Sequence, residues 1–234
     1  VPVALAIHTV TSWLFAATTR TGWDSTIFGP YFVTGAFVSG CAAVIIAMYF
    51  FQNNYKLSDY ITEKHFDKMG KLLILLSLVY LYFNLNEFLI PGYKLKKFDT
   101  PHLQGLLTGS YAGLFWTVQI GGLILPVLLL LFRKIRKAFP MFIIAVVMLA
   151  AAWLKRYLIV VPTQEHPFLP IQNVPENFKF YTPTLIEIGI SFAPVILVLI
   201  IITVLAKVLP VIPVHESISF SSRNKPALGE ENDK

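Results

Sequence analysis

The sequence predicts an all-α integral membrane protein with six transmembrane helices, and three observations lead there. Of its 234 residues, 56% are hydrophobic and 14% charged, with mean hydropathy +0.66, too apolar for a surface that water must wet. Crossing a hydrocarbon core of ~30 Å takes ~20 helical residues, and apolar runs of that length recur at 1–19, 30–51, 69–90, 114–132, 141–162 and 184–210. The runs are continuous, unlike the ~10-residue alternating strands of a barrel. In lipid only helices and closed barrels satisfy the backbone.

The first run opens at Val1 with no Met or basic segment before it, so the chain is expected to be the C-terminal part of a longer protein. It carries His8 with Thr11 and Ser12 at i+3 and i+4. Two roles fit His8: a hydrogen bond across a helix interface, or a quinone-carbonyl donor and proton relay. The loop "RTGWDSTIFGP" follows, and its Asp24 suits either capping of structure before Pro30 or proton uptake at the surface. In the second run Gly35 and Ser39, four apart, make a small face for close helix approach, as do Gly121 and Gly122 in the fourth.

The third run places Tyr80, Asn84 and Glu87 at i, i+4 and i+7, on one helix face, with Asn86 displaced from it. Pro126 and Pro194 fall inside the fourth and sixth runs, where each frees a carbonyl and predicts a kink. The fifth run holds Lys155 and Arg156, about 100° apart around the helix. One faces inward, Arg156 by expectation, while the other snorkels to the headgroups. The segment 163–184 contains Pro167, Pro170, Pro175 and Pro183 and predicts an extended cover. The sixth run carries Glu187 in its first turn, and the polar stretch 211–234 predicts a flexible cytoplasmic tail.

Loop charges orient the helices. Lys56, Lys64 and Lys68, then Arg133, Lys134, Arg136 and Lys137, then Arg223 and Lys225 fall on one side; Arg20, Lys94, Lys96, Lys97 and Lys179 fall on the other. The positive-inside rule puts the first set and the C-terminus in the cytoplasm. Glu87, Lys155, Arg156 and Glu187 then share the outer half of the bilayer, where two acids and two bases offset one another's insertion cost of ~2.5–3.5 kcal/mol each. Such a set is either an interhelical salt bridge or a polar pocket that binds a head group or passes protons.

The composition also excludes functions. A lone Cys41 builds no disulfide, haem-attachment motif or iron–sulfur site. His65, His102, His166 and His215 lie in loops or the tail without the spacing of a haem or metal pair and receive no role. The basic loops are topology signals, so nucleic acid is not an expected partner.

The stretches "HTVTSWLFA", "GWDSTIFGPYFVTGAFVSG", "NEFLIPGY", "LKRYLIVVPT" and "FYTPTLIEIGI" together resemble the NrfD/PsrC family of quinone-interacting membrane subunits. The larger members, in alternative complex III, the quinone reductase complex of sulfate reducers and the Dsr and Hmc transmembrane complexes, are the most similar. The resemblance covers roughly residues 1–215. It implies that 1–19 is the last helix of a first bundle, 30–162 the second four-helix bundle of an NrfD-like fold, and 184–210 an extra C-terminal helix. His8 matches the histidine of the family's first stretch and Asp24 falls in its second, whereas Leu14 stands where some members have Asp.

Functionally the resemblance implies a multi-pass subunit of a bacterial or archaeal cytoplasmic membrane that binds quinone, menaquinone by expectation, in the outer half. Electrons pass to or from a partner iron–sulfur subunit, joined to multihaem cytochrome c or molybdopterin subunits and in some complexes to a second NrfD-like chain, with proton transfer as an accompaniment. No haem, metal or iron–sulfur cluster is expected in this chain. The quinone or proton-path candidates are His8, Asp24, Tyr80, Asn84, Glu87, Lys155, Arg156 and Glu187. Two other readings fit the same ions: a membrane anchor without a quinone site, and a proton-translocating module. Against the second, no repeat or inner series of titratable groups is visible.

Overall fold

The computed structural model describes residues 2–18, 20–55, 57–94, 97, 99–165, 175 and 181–208. The tail 211–234, most of the proline-rich segment, His166 and His215 lie outside the described residues. The described elements are helical: α1 (Pro2–Ala16), α2 (Phe28–Asn54), α3 (Glu63–Lys94), α4 (Asp99–Leu107), α5 (Ala112–Trp116), a π-helical segment (Thr117–Ile124), α6 (Leu125–Leu131), a 3-10 turn (Arg133–Ile135), α7 (Ala138–Gln164) and α8 (Leu185–Val208). Five rods are long and apolar enough to cross a membrane: α2, α3, Ala112–Leu131, α7 and α8; α1 is a shorter apolar helix. The protein is a multi-pass, all-helical membrane protein. The chain divides into two units, Val1–Phe180 and Tyr181–Lys234.

Helix ends differ from the apolar runs in an instructive way. The third run begins at 69, but α3 begins at Glu63 and spans 32 residues, about 48 Å at 1.5 Å per residue. Hydropathy marks the part that lipid surrounds, whereas helical hydrogen bonding continues into the polar border. Similarly, α3 and α7 run past Pro91 and Pro162 to Lys94 and Gln164, because a proline near a C-terminus disturbs only the turn before it. At Pro126 the expected irregularity takes a specific form. The proline is the second residue of α6, which follows eight residues of π-helix, whose wider turn leaves room for a ring that an α-turn would press on a carbonyl. At Pro194 the helix α8 simply continues.

In the first unit α2 packs on α1, α3 and α7, while α7 packs on the π segment and α3 on α6. The start of α2 meets the end of α3, since Tyr31 bonds to Asn84, and Cys41 further along α2 reaches back to Met69; the two helices are antiparallel. Val38, Ala42 and Ile45 of α2, Phe66 and Leu73 of α3, Leu130 of α6 and Met141, Ala145 and Met148 of α7 form the largest buried cluster. One residue of each small pair, Gly35 and Gly122, lies at a close helix approach, while Gly121 faces open space and Ser39 bonds to its own helix. A Cβ on Gly35 would stand 3.0 Å from the Tyr80 ring, and one on Gly122 would overlap the Ala151 Cβ.

The two ends of this bundle are chemically unlike. One joins Asp67 of α3 to Lys71 at 2.7 Å and to Arg136 at 2.9 Å, and Glu63 accepts a hydrogen bond from the Ala138 amide that opens α7. The other holds the start of α2, the ends of α3 and α7, and the short α4.

Candidate functional site

Three residues of α3 organise the α4 end. Helical spacing sets Tyr80, Asn84 and Glu87 on one face, and the surrounding helices supply a partner for each. The Tyr80 hydroxyl donates to the Tyr31 hydroxyl at 3.2 Å, and Tyr31 donates to Asn84 Oδ1 at 3.3 Å. Asn84 Nδ2 donates to Gln119 Oε1 at 2.6 Å, and Gln119 returns a longer bond at 3.4 Å. The Tyr31 and Tyr80 rings stack with centroids 5.2 Å apart. This polar thread therefore ties α2, α3 and the π segment together within an apolar bundle.

One turn beyond Asn84, Glu87 meets Lys155. The ammonium lies 3.9 Å from Glu87 Oε2 and is 4% exposed. Its other neighbours are ring faces: Nζ stands 4.4 Å from the centre of Phe88, 5.8 Å from Phe115 and 5.9 Å from Tyr31. Quadrupole attraction replaces part of the hydration that Lys155 gives up. The Tyr31 ring lies 5.9 Å from Lys155 Nζ, so the polar thread adjoins the ion pair.

The expectation that Arg156 faces inward is overturned. Lys155 shares its stripe with the buried Met148, Ala151, Leu158 and Pro162, whereas Arg156 is exposed on the flank, its guanidinium 4.3 Å from the Phe32 ring. The reason is register: at 3.6 residues per turn the positions 148, 151, 155, 158 and 162 form one seam, and 156 lies about 100° off it.

Of the other candidates, His8 and Asp24 of the first unit are not among the residues that line this cluster. His8 of α1 is half-buried, with Nδ1 2.8 Å from the Ala4 carbonyl of its own helix; Ser12 is buried while Thr11 is exposed. Asp24 is exposed in the α1–α2 turn. It is not the cap of α2, whose N-cap is Ile27 without a side-chain hydrogen bond. Glu187 belongs to the second unit, where it makes a reciprocal capping box. Its Oε2 accepts from the Thr184 amide at 2.7 Å and hydroxyl at 2.9 Å, while its own amide donates to Thr184 Oγ1 at 3.3 Å.

The expectation that His102 lies in a loop is corrected, because Asp99–Leu107 is helical. His102 sits in α4 with 7% exposure and lines one cavity with Glu87, Lys155, Phe88, Phe115 and Thr163. Gly22 forms part of the wall at φ +82°, and a Cβ there would lie 2.7 Å from His102 Nε2. Left-handed backbone and close approach thus both call for glycine. The turn carrying Gly22 is pinned by Trp23, whose Nε1 donates to the Ile159 carbonyl at 2.8 Å. Gln119 had a visible signal, an amide within an apolar run; His102, in "TPHLQGLL", had none.

Among the described residues no three His, Cys, Asp or Glu side chains gather into a metal-binding set. The site is instead a buried acid–base pair, caged by aromatic rings and extended by neutral hydrogen bonds. Comparison with known proteins then decides the lineage: the model of the family described as "Polysulphide reductase, NrfD" matches residues 1–167. The chain belongs to the NrfD family. The NrfD match takes in α1 to α7 and every residue of the Glu87–Lys155 site. The chain is also similar to a subunit of the selenate reductase of Mesobacillus selenatarsenatis, with 26% identity over 217 residues, 90% of this chain and 50% of that protein. It thus spans about half the length of the curated relative that it matches.

Proposed function

We propose that this chain is the quinone-interacting membrane subunit of a respiratory reductase complex, with a quinone or quinol held in the outer half of the membrane beside the α4 end of the bundle. Electrons pass between the quinone and a partner iron–sulfur subunit, which connects to a molybdopterin or multihaem cytochrome subunit, and menaquinone is the expected quinone. The observation that carries the reading is the buried Glu87–Lys155 pair with its cavity at one end of the bundle. Quinone reduction adds a proton to each carbonyl oxygen, so a site needs proton-carrying groups near the ring. Family membership and the similarity to a selenate reductase subunit support the setting.

The orientation follows from charge: Lys64, Lys68, Arg133, Lys134 and Lys137 crowd the opposite end, which the positive-inside rule assigns to the cytoplasm. The cavity has room for about one water molecule, so the quinone ring does not enter it. The ring docks outside, and the pair serves it through the cavity wall. On this proposal residues 30–162 are the second four-helix bundle, 1–19 the last helix of the first and 184–210 an extra C-terminal span.

A specific observation favours a second reading, an anchor without its own quinone site: the thread from Tyr80 to Gln119 and the Glu87–Lys155 pair join α2, α3, α7 and the π segment as interhelical glue would. The two readings separate in a titration of the whole complex with a fluorescent quinol-site inhibitor, at equal protein content. Stoichiometric binding in wild type, with quinol turnover at least tenfold lower in Glu87→Gln and nearly unchanged in Arg156→Gln, supports the quinone reading. Wild type without saturable binding sinks it and leaves the anchor.

A further inference from the structure

The Glu87–Lys155 contact is long for a buried ion pair. Charge-assisted N–H···O bonds run ~2.7–2.9 Å, whereas Nζ and Oε2 stand 3.9 Å apart. Oε2 is fully shielded and makes no direct hydrogen bond, an arrangement that forfeits the favourable part of burying a carboxylate. The same atoms border a cavity with room for about one water molecule, walled also by His102 and Thr163. An ordered buried water takes two to four polar partners. Lys155 offers a donor and Glu87 Oε2 an acceptor. Thr163 directs its hydroxyl proton to the Ile159 carbonyl at 3.1 Å, which leaves its oxygen as a second acceptor.

We propose that this cavity is a single-water binding site bridging Glu87, Lys155 and His102, and that the bridged pair is a proton-exchange centre whose outlet is the His102 ring on α4. In the exchange step the water gives one proton to Glu87 Oε2 and takes one from the protonated His102 ring. The net change is one proton moved from imidazolium to carboxylate; the water is regenerated and no electron changes place. Lys155 stays an ammonium, holding the water by its N–H and steadying the carboxylate while it is charged. Among the described residues two further ionisable groups feel the Glu87 charge, the Tyr31 hydroxyl of α2, which donates to Asn84, and the Tyr80 hydroxyl of α3, which donates to Tyr31. Gly22 sets the position of the outlet, since any side chain there would displace the imidazole.

The inference rests on the quinone reading for the use of the proton and not for the exchange itself, so the two can be separated. Infrared spectra of the membrane-embedded complex, transferred from light to heavy water, report the Glu87 carboxyl stretch, identified as the band that Glu87→Gln removes. The expected result is deuterium exchange at least tenfold slower in His102→Phe than in wild type. His102→Gln, which keeps a hydrogen-bonding side chain but does not titrate, is expected to be as slow, and serves if the phenylalanine variant does not assemble. Equal exchange rates in wild type and variants, or no Glu87 carboxyl band at any pH at which the complex stays folded, would overturn the proposal. Inhibitor titration of the same samples completes the separation. His102-dependent exchange without saturable inhibitor binding removes the quinone reading alone, and saturable binding with His102-independent exchange removes this inference alone.

Discussion

The two ends of the bundle each hold an ion pair formed with α3, and the shorter distances belong to the end where they matter less. At the basic end Asp67, its side chain 22% exposed, lies 2.7 Å from Lys71, 61% exposed, and 2.9 Å from Arg136, 12% exposed. At the α4 end Glu87 and Lys155 stand 3.9 Å apart with side chains 11% and 5% exposed. Water reaches Asp67 and Lys71, screens them and solvates either one left alone, while Arg136 is nearly as enclosed as Glu87. The second is closed to bulk water, so each charge depends on the other, on the rings of Phe88 and Phe115 and on the small cavity beside them. Distance alone therefore misranks the pairs, and access to solvent ranks them.

The sharpest way to break that comparison is Lys155→Ala. It leaves Glu87 buried without its countercharge, a change expected to destabilise by about 3–5 kcal/mol, seen as a large fall in the thermal unfolding midpoint of the purified protein. The double variant Glu87→Gln with Lys155→Met should recover most of the loss, and a silent single variant would refute the ranking.

Gln119→Leu comes next. It strands the Asn84 amide among apolar side chains and is expected to cost about 1–3 kcal/mol. Because the two amides bond each other, a double-mutant cycle with Asn84→Leu should give a coupling energy clearly different from zero; simple additivity would remove the thread from the site.

Gly22→Ala tests the cavity wall. The left-handed backbone alone disfavours alanine by about 1–2 kcal/mol, and the added carbon presses on His102. Slower carboxyl exchange should accompany the modest loss of stability. The smallest effect is expected for Asp67→Asn at the basic end, with an unfolding midpoint indistinguishable from wild type at moderate salt. A large drop there would mean that the exposed network also holds α7 to α3.

Much of this was legible before any coordinates. Apolar runs located the spans because lipid demands ~20 uninterrupted apolar residues, and i, i+4, i+7 spacing placed Tyr80, Asn84 and Glu87 on one face. The choice between Lys155 and Arg156 went wrong where local pattern is weakest. A helix apolar on nearly all sides shows little amphipathic stripe, so the seam from Met148 to Pro162 emerges only when a neighbour buries it. Glu187 reads equally well as a membrane ion or as a T-x-x-E box, and the Thr184 hydrogen bonds show the box.

By itself the sequence determined the class of protein, its spans and the fact that charges lie within them, because these follow from the bilayer acting as solvent on each segment independently. The tertiary structure alone decided which charge is buried and what surrounds it. Tyr31 reaches Asn84 across 53 positions and Trp23 reaches Ile159 across 136, and His102 enters the cavity from a nine-residue helix too short and too polar to register as a span. Such contacts carry no local period, since they depend on how separate helices pack, and packing is settled by the chain as a whole.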